Sequence, residues 1–170
     1  MNARHTGVLA TTVAAAVVVA LATTALADRT VVPDAKGDGK CSGPAWDIRK
    51  AIAGHAPGGR LKHVVRMRRA KSFPVPMILI KVKGSKGVRY EVDASARPPR
   101  VIDTRTREVT GKVKKKRGGN RWILLFHRSA LGDPARYRWL ATTGVGGHAP
   151  CDRAPNKGFR PHRLGWRSLP

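Results

Sequence analysis

Four aspartates carry the only spacing in this chain that suggests ion chemistry. Asp34 and Asp38 flank a glycine-rich turn, Asp34-Ala35-Lys36-Gly37-Asp38-Gly39, and Asp47 stands just before Ile48, which opens an expected strand. Gly37 and Gly39 let the backbone close tightly around Asp38. Carboxylates and carbonyls gathered on such a loop suit a hard cation that prefers oxygen ligands, calcium above all. Asp152 lies far along the chain but directly follows Cys151. Cys41 and Cys151 are the only cysteines, 110 residues apart. In an oxidising compartment a lone pair of this kind forms one disulfide. That bond would carry Asp152 to the loop that holds the other three. The spacing is not that of an EF-hand, and aspartates in a glycine-rich turn also bond their own backbone.

A second chemistry is electrostatic. Lys112, Lys114, Lys115, Lys116 and Arg117 put five cations into six residues, immediately before Gly118-Gly119. This pattern predicts a protruding hairpin tip. Lys62, Arg66, Arg68, Lys81, Lys83 and Arg89 occupy the polar positions of alternating segments. They would form a sheet face of one sign, and such a face is a field that draws in polyanions. Lysines on a sheet edge also deter strand-to-strand aggregation.

The chain contains no G-x-S-x-G, no H-E-x-x-H and no P-loop. It is therefore read as a non-enzyme that needs no cofactor beyond a structural calcium. The residue types of a small basic ribonuclease are present: Glu108 as base, His127 as acid and Arg105 for the phosphate. No spacing fixes their geometry. Gly54-His55-Ala56-Pro57 recurs as Gly147-His148-Ala149-Pro150, which would let two histidines share a metal or is simply repeated turn chemistry. Trp46 and Trp166 lie near expected loops, where they could stack on a sugar or a base. Trp122, Trp139 and His63 fall at inward positions.

The compartment is written at the start of the chain. Met1 to His5 carry one formal charge, Arg4, and Gly7 to Ala27 are 21 uncharged residues ending Ala25-Leu26-Ala27. This is the pattern of a secretory signal peptide, residues 1–27, cut after Ala27. The export machinery is then the first expected partner. An uncleaved anchor is the alternative, because about 20 apolar residues span a bilayer, but the small-residue exit favours cleavage. Residues 28–170 form one domain, secreted or held at the cell envelope.

The whole chain has 34 Lys and Arg against 10 Asp and Glu. Residues 28–170 keep 33 of those cations and all 10 acids, a net charge of +23. Outside a cell, the polyanions such a surface meets are anionic polysaccharides and other envelope polymers, lipid surfaces and free nucleic acid, the last bound only non-specifically. The same charge also keeps an exported protein soluble. A disulfide closing so long a loop contributes about 4–5 kcal/mol on chain-entropy grounds, which matters in a self-repelling chain.

The elements that must position these residues read as strands. Leu61, His63, Val65 and Met67 alternate with Lys62, Val64, Arg66 and Arg68; Ile78, Ile80 and Val82 share one face; Val88, Tyr90, Val92 and Ala94 another. Such alternation marks strands with one buried and one wet face. Trp122–His127 is a denser apolar run, and Arg136–Thr142 a shorter candidate. Gly84-Ser85-Lys86-Gly87 reads as a hairpin turn. Ser129 is placed to cap one helical turn. The whole predicts an all-β fold, an antiparallel β-sandwich of about seven to nine strands closed by one disulfide.

The opening order, Asp-x-x-Gly-Asp, a short gap, Asp-Ile and an alternating strand, resembles small secreted β-sandwich modules appended to bacterial carbohydrate-active enzymes. Tyr137-Arg138-Trp139, the stretch Cys151 to Gly158, and His162-Arg163-Leu164 resemble stand-alone secreted actinobacterial proteins. The resemblance implies a β-sandwich and, through the modules, calcium. The expected function is a basic, non-catalytic domain that binds anionic envelope polymers. The alternatives are a calcium-stabilised carbohydrate-binding-like module and the ribonuclease.

Overall fold

The computed structural model describes residues 29–41, 46–69, 75–144 and 150–163. The expected signal peptide, His148 and Trp166 lie outside the described residues. The described residues hold eleven strands: β1 Thr30–Pro33, β2 Ile48–Ala56, β3 Arg60–Met67, β4 Met77–Val82, β5 Tyr90–Asp93, β6 Arg100–Asp103, β7 Val109–Gly118, β8 Arg121–His127, β9 Arg136–Thr143, β10 Asp152–Ala154 and β11 Arg160–Arg163. One 3-10 turn, Arg128–Leu131, follows β8. His127, rather than Ser129, caps it: the His127 side chain accepts from Ser129 N. Among the described residues no helix is long and apolar enough to cross a membrane.

Every pairing is antiparallel, along the path β1-β2-β3-β8-β7-β6-β5-β4-β9-β10, with β11 also on β9. The all-β class and the antiparallel alternation hold. The arrangement departs from a sandwich of seven to nine strands in forming one continuous sheet that curls into a nearly closed barrel. The ten-residue strand β7 makes the bend. Its first part pairs with β6 and its second with β8, with a register shift opposite Val101 and Ile102. Such a shift kinks and twists a strand. Gly111 lies at the bend because a Cβ there would sit 2.5 Å from the Ala130 Cβ of the 3-10 turn.

Period-two alternation places the core as expected. Leu61, His63, Val65 and Met67 on β3 are fully buried, as are Ile78 and Ile80 on β4 and Trp139 on β9. His63 joins the two halves of the curled sheet. Its Nε2 lies 2.9 Å from Tyr137 Oη, and its ring meets Trp139 edge-on at 5.0 Å. Burial, and then His162, hold its pKa down to about 3.

The two ends of the path meet at a seam between β1–β2 and β10–β11. Among the described residues no continuous ladder crosses it. Thr30 Oγ1 on β1 donates to Pro161 O at 3.3 Å and lies 2.9 Å from His162 Nδ1, both on β11. Ile48 N donates to Asp152 Oδ2 at 2.5 Å, and Thr143 Oγ1 to Trp46 O at 2.8 Å. The Cys41–Cys151 disulfide clips the same seam.

Candidate functional site

The seam gathers the aspartates. One carboxylate oxygen from each of Asp34, Asp38, Asp47 and Asp152 lies within 4.8 Å of the others. Asp34 follows β1, Asp47 precedes β2, and Asp152 opens β10. The disulfide and the Lys40 N to Cys151 O bond of 2.5 Å bring the glycine-rich loop onto β10.

The four acids are not equivalent. Asp47 is committed through both oxygens, Oδ1 to Arg68 Nε at 2.8 Å and Oδ2 to Gly37 N at 2.9 Å. Asp38 accepts from Asn156 Nδ2. Asp152 accepts from the backbone N–H groups of Ile48 and Arg153. Asp34 Oδ2 is buried without a hydrogen-bond partner. Burial, and then the Asp152 and Asp38 carboxylates, push the Asp34 pKa up to about 8. Burial also raises Asp152, against its two backbone hydrogen bonds. Crowded carboxylates of this kind hold a proton or attract a cation.

The cations divide in a way that the linear sequence does not reveal. Lys112 to Arg117 lie within β7, one residue short of the Gly119–Asn120 turn that joins it to β8. Alternate strand residues face opposite sides, so the run splits. Val113 is buried, while Lys115 on its side donates to Ala94 O at 2.8 Å and the Arg117 Cζ lies 6.0 Å from the Trp122 ring centroid. Lys112, Lys114 and Lys116 take the other side. Arg68 is bound to Asp47 and, at 2.8 Å, to Asp34 O. Lys81 belongs to the other half of the sheet, with its Nζ 4.6 Å from the Phe159 ring centroid. Lys83 lies in the β4–β5 turn.

What assembles is the outer face of β2-β3-β8-β7. Cross-strand register places Ile52, Val64, Ile123 and Lys116 in one row. On one side runs Lys50, Arg66, Arg121 and Gly118; on the other Gly54, Lys62, Leu125 and Lys114. These four strands contain no Asp or Glu. Lys62, Arg66 and Arg121 with Ile52, Val64 and Ile123 line a depression of about 540 Å³. The Arg66 Nε is buried and has no hydrogen-bond partner. Lys50 and Arg121 escaped the reading of the sequence. Arg121 directly follows the turn, and β2 is interrupted by Gly54, so neither stood in an obvious alternating run.

Of the ribonuclease residue types, His127 is engaged with the 3-10 turn that follows β8. His127 Nδ1 lies 2.8 Å from Ser129 Oγ, and among the described residues no hydrogen bond or ion pair joins Glu108, His127 and Arg105. Trp46 is half-buried, and the exposed His55 stacks on His162 at 5.2 Å. Comparison with protein-family models, curated proteins and solved structures finds no match to this chain.

Proposed function

We propose that the protein is an exported, non-catalytic module that holds anionic polymers of the cell envelope on the outer face of β2-β3-β8-β7. One observation carries this reading: Lys50, Lys62, Arg66, Arg121 and Lys114 flank an apolar row that Lys116 ends, on four strands free of carboxylates. Adjacent strands are about 4.8 Å apart and alternate residues about 7 Å apart. The face is thus a grid of cations suited to a chain of repeated anions. Read as two sandwich layers joined through β7, the curled sheet presents this grid on one layer.

Heparin and polyphosphate serve as probes, titrated across a salt series. The variant K50Q/K62Q/R66Q/R121Q is expected to bind about 100-fold more weakly, with a shallower salt dependence. A control, K36Q/K40Q/K157Q/R160Q, removes the same charge from exposed positions elsewhere. Equal losses in the two variants would mean that net charge, not this face, does the binding.

A second reading is a calcium-stabilised carbohydrate-binding-like module, favoured by the meeting of Asp34, Asp38 and Asp152. Asp47, occupied by Arg68 and Gly37, would orient the loop rather than bind. Saturating calcium should then raise Tm, and Asp38→Ala should abolish the rise. An unchanged Tm with calcium would remove this reading.

A further inference from the structure

One end of the barrel holds a hollow of about 1220 Å³ that none of the roles above uses. The β4–β5 turn, the turn after β6 and the loop after the 3-10 turn surround it. Its wall is more apolar than polar and includes the nearly buried Tyr90 and Leu131. Its rim carries Lys83, Lys86, Arg105 and Arg136, all exposed. None of these four makes an ion pair among the described residues. Arg89 also lines the hollow and is held by Asp103 at 2.6 Å; no carboxylate lines it. A cleft bounded by one sign of charge and low-dielectric walls focuses its field on a ligand of opposite sign.

The rim is preformed. Ser85 Oγ donates to Val82 O at 2.8 Å and to Gly87 O at 3.1 Å, bracing the β4–β5 turn from within. Thr104 Oγ1 ties the turn after β6 to Val88 O at 2.7 Å. Arg128 pairs with Asp133 at 2.7 Å, and Gly132, at φ 71°, donates to Ser129 O at 2.9 Å. A site ordered before binding does not spend affinity on ordering itself.

We propose that this hollow binds a small amphiphilic anion: one sulfonate, sulfate, phosphate or carboxylate on an apolar body. The head meets the cationic rim, and the body lies against Tyr90 and Leu131. Barrel mouths with apolar walls and a few placed polar groups are recurrent ligand sites. The site shares no residue with the β2-β3-β8-β7 face and stands or falls separately from it.

The probes are 8-anilinonaphthalene-1-sulfonate and its neutral analogue N-phenyl-1-naphthylamine, which has the same body without the sulfonate. The sulfonate is expected to bind at least 10-fold more tightly than the neutral probe, shifting amide resonances of residues 84–88 and 131–136. The variant K86Q/R105Q/R136Q should weaken sulfonate binding at least 10-fold, and K62Q/R66Q/R121Q should not. Ala135→Trp, which fills the hollow from an exposed lining position, should reduce binding of both probes. Equal affinity for the two probes, binding retained in the rim variant, or shifts confined to β2-β3-β8-β7 would each overturn the assignment. Heparin affinity unchanged by the rim variant would confirm that the two sites are independent.

Discussion

The acidic seam and the basic sheet face solve the same problem, crowded like charge, in opposite ways. At the seam, four carboxylates from three parts of the chain converge beside a disulfide. The protein answers most of that charge internally, with Arg68, Asn156 and the backbone N–H groups of Gly37, Ile48 and Arg153. It leaves Asp34 favouring its protonated form. On the β2-β3-β8-β7 face the four strands hold no carboxylate, and solvent screens the exposed cations while the Arg66 Nε is buried. A cluster answered from within chiefly closes the fold. One left to solvent costs little in water and remains available to a partner.

The largest effect should come from opening the seam. Replacing Cys41 and Cys151 by Ser is expected to cost about 4–5 kcal/mol, read by urea denaturation. Heparin affinity of the folded fraction should persist; its loss would show that the two regions are not separable. Next, Asp47→Ala strands Arg68 and the Gly37 N–H and should cost about 1–3 kcal/mol, again without altering heparin binding. The same cost is expected for Tyr137→Phe, which leaves the buried His63 Nε2 without its partner.

A pH series sharpens the contrast further. The folded pKa of Asp34, about 8, lies above its ordinary 3.8. The fold therefore holds a proton that the unfolded chain releases. That stabilisation is complete below about pH 4 and is lost as pH rises towards 8. Asp34→Asn should remove this loss, so the Tm of the variant relative to wild type should climb across that window. Each kcal/mol corresponds to about 2–4 °C in a chain of this length. His63 works in the other direction: its folded pKa, about 3, lies below 6.5, so its contribution is present above pH 6.5 and is lost as pH falls towards 3. A constant difference in Tm between Asp34→Asn and wild type would show that the seam is not charge-strained. The smallest effect on stability belongs to the basic face. Lys62→Gln should change stability by no more than about 0.5 kcal/mol while lowering heparin affinity several-fold.

Much of the strand pattern was legible. Leu61, Val65, Ile80, Val92 and Trp139 are buried where alternation put them, because a strand facing one core repeats every two residues. The turn at Gly84–Gly87 joins two paired strands, as its composition implied. The short strands β1, β6, β10 and β11, of three or four residues, offered too few positions to show a period. The run Lys112–Arg117 was expected at a hairpin tip; it lies in the strand that leads into that turn. A strand tolerates such charge when one face is wet and the residues on the other side find particular partners, as Lys115 does at Ala94 O.

By itself the sequence determined the all-β class, the core faces of β3, β4, β5 and β9 and the pairing of two lone cysteines, since all three follow from local periodicity or from having only one possible partner. Only the tertiary structure decided that the sheet is one nearly closed path, that Asp47 is taken up by Arg68 and Gly37 N, and that Lys50 and Arg121 join Lys62 and Arg66 while Lys81 does not. Those outcomes depend on register and on which strand lies beside which. Strand order is set by the packing of the whole chain, and no local pattern of residues encodes it.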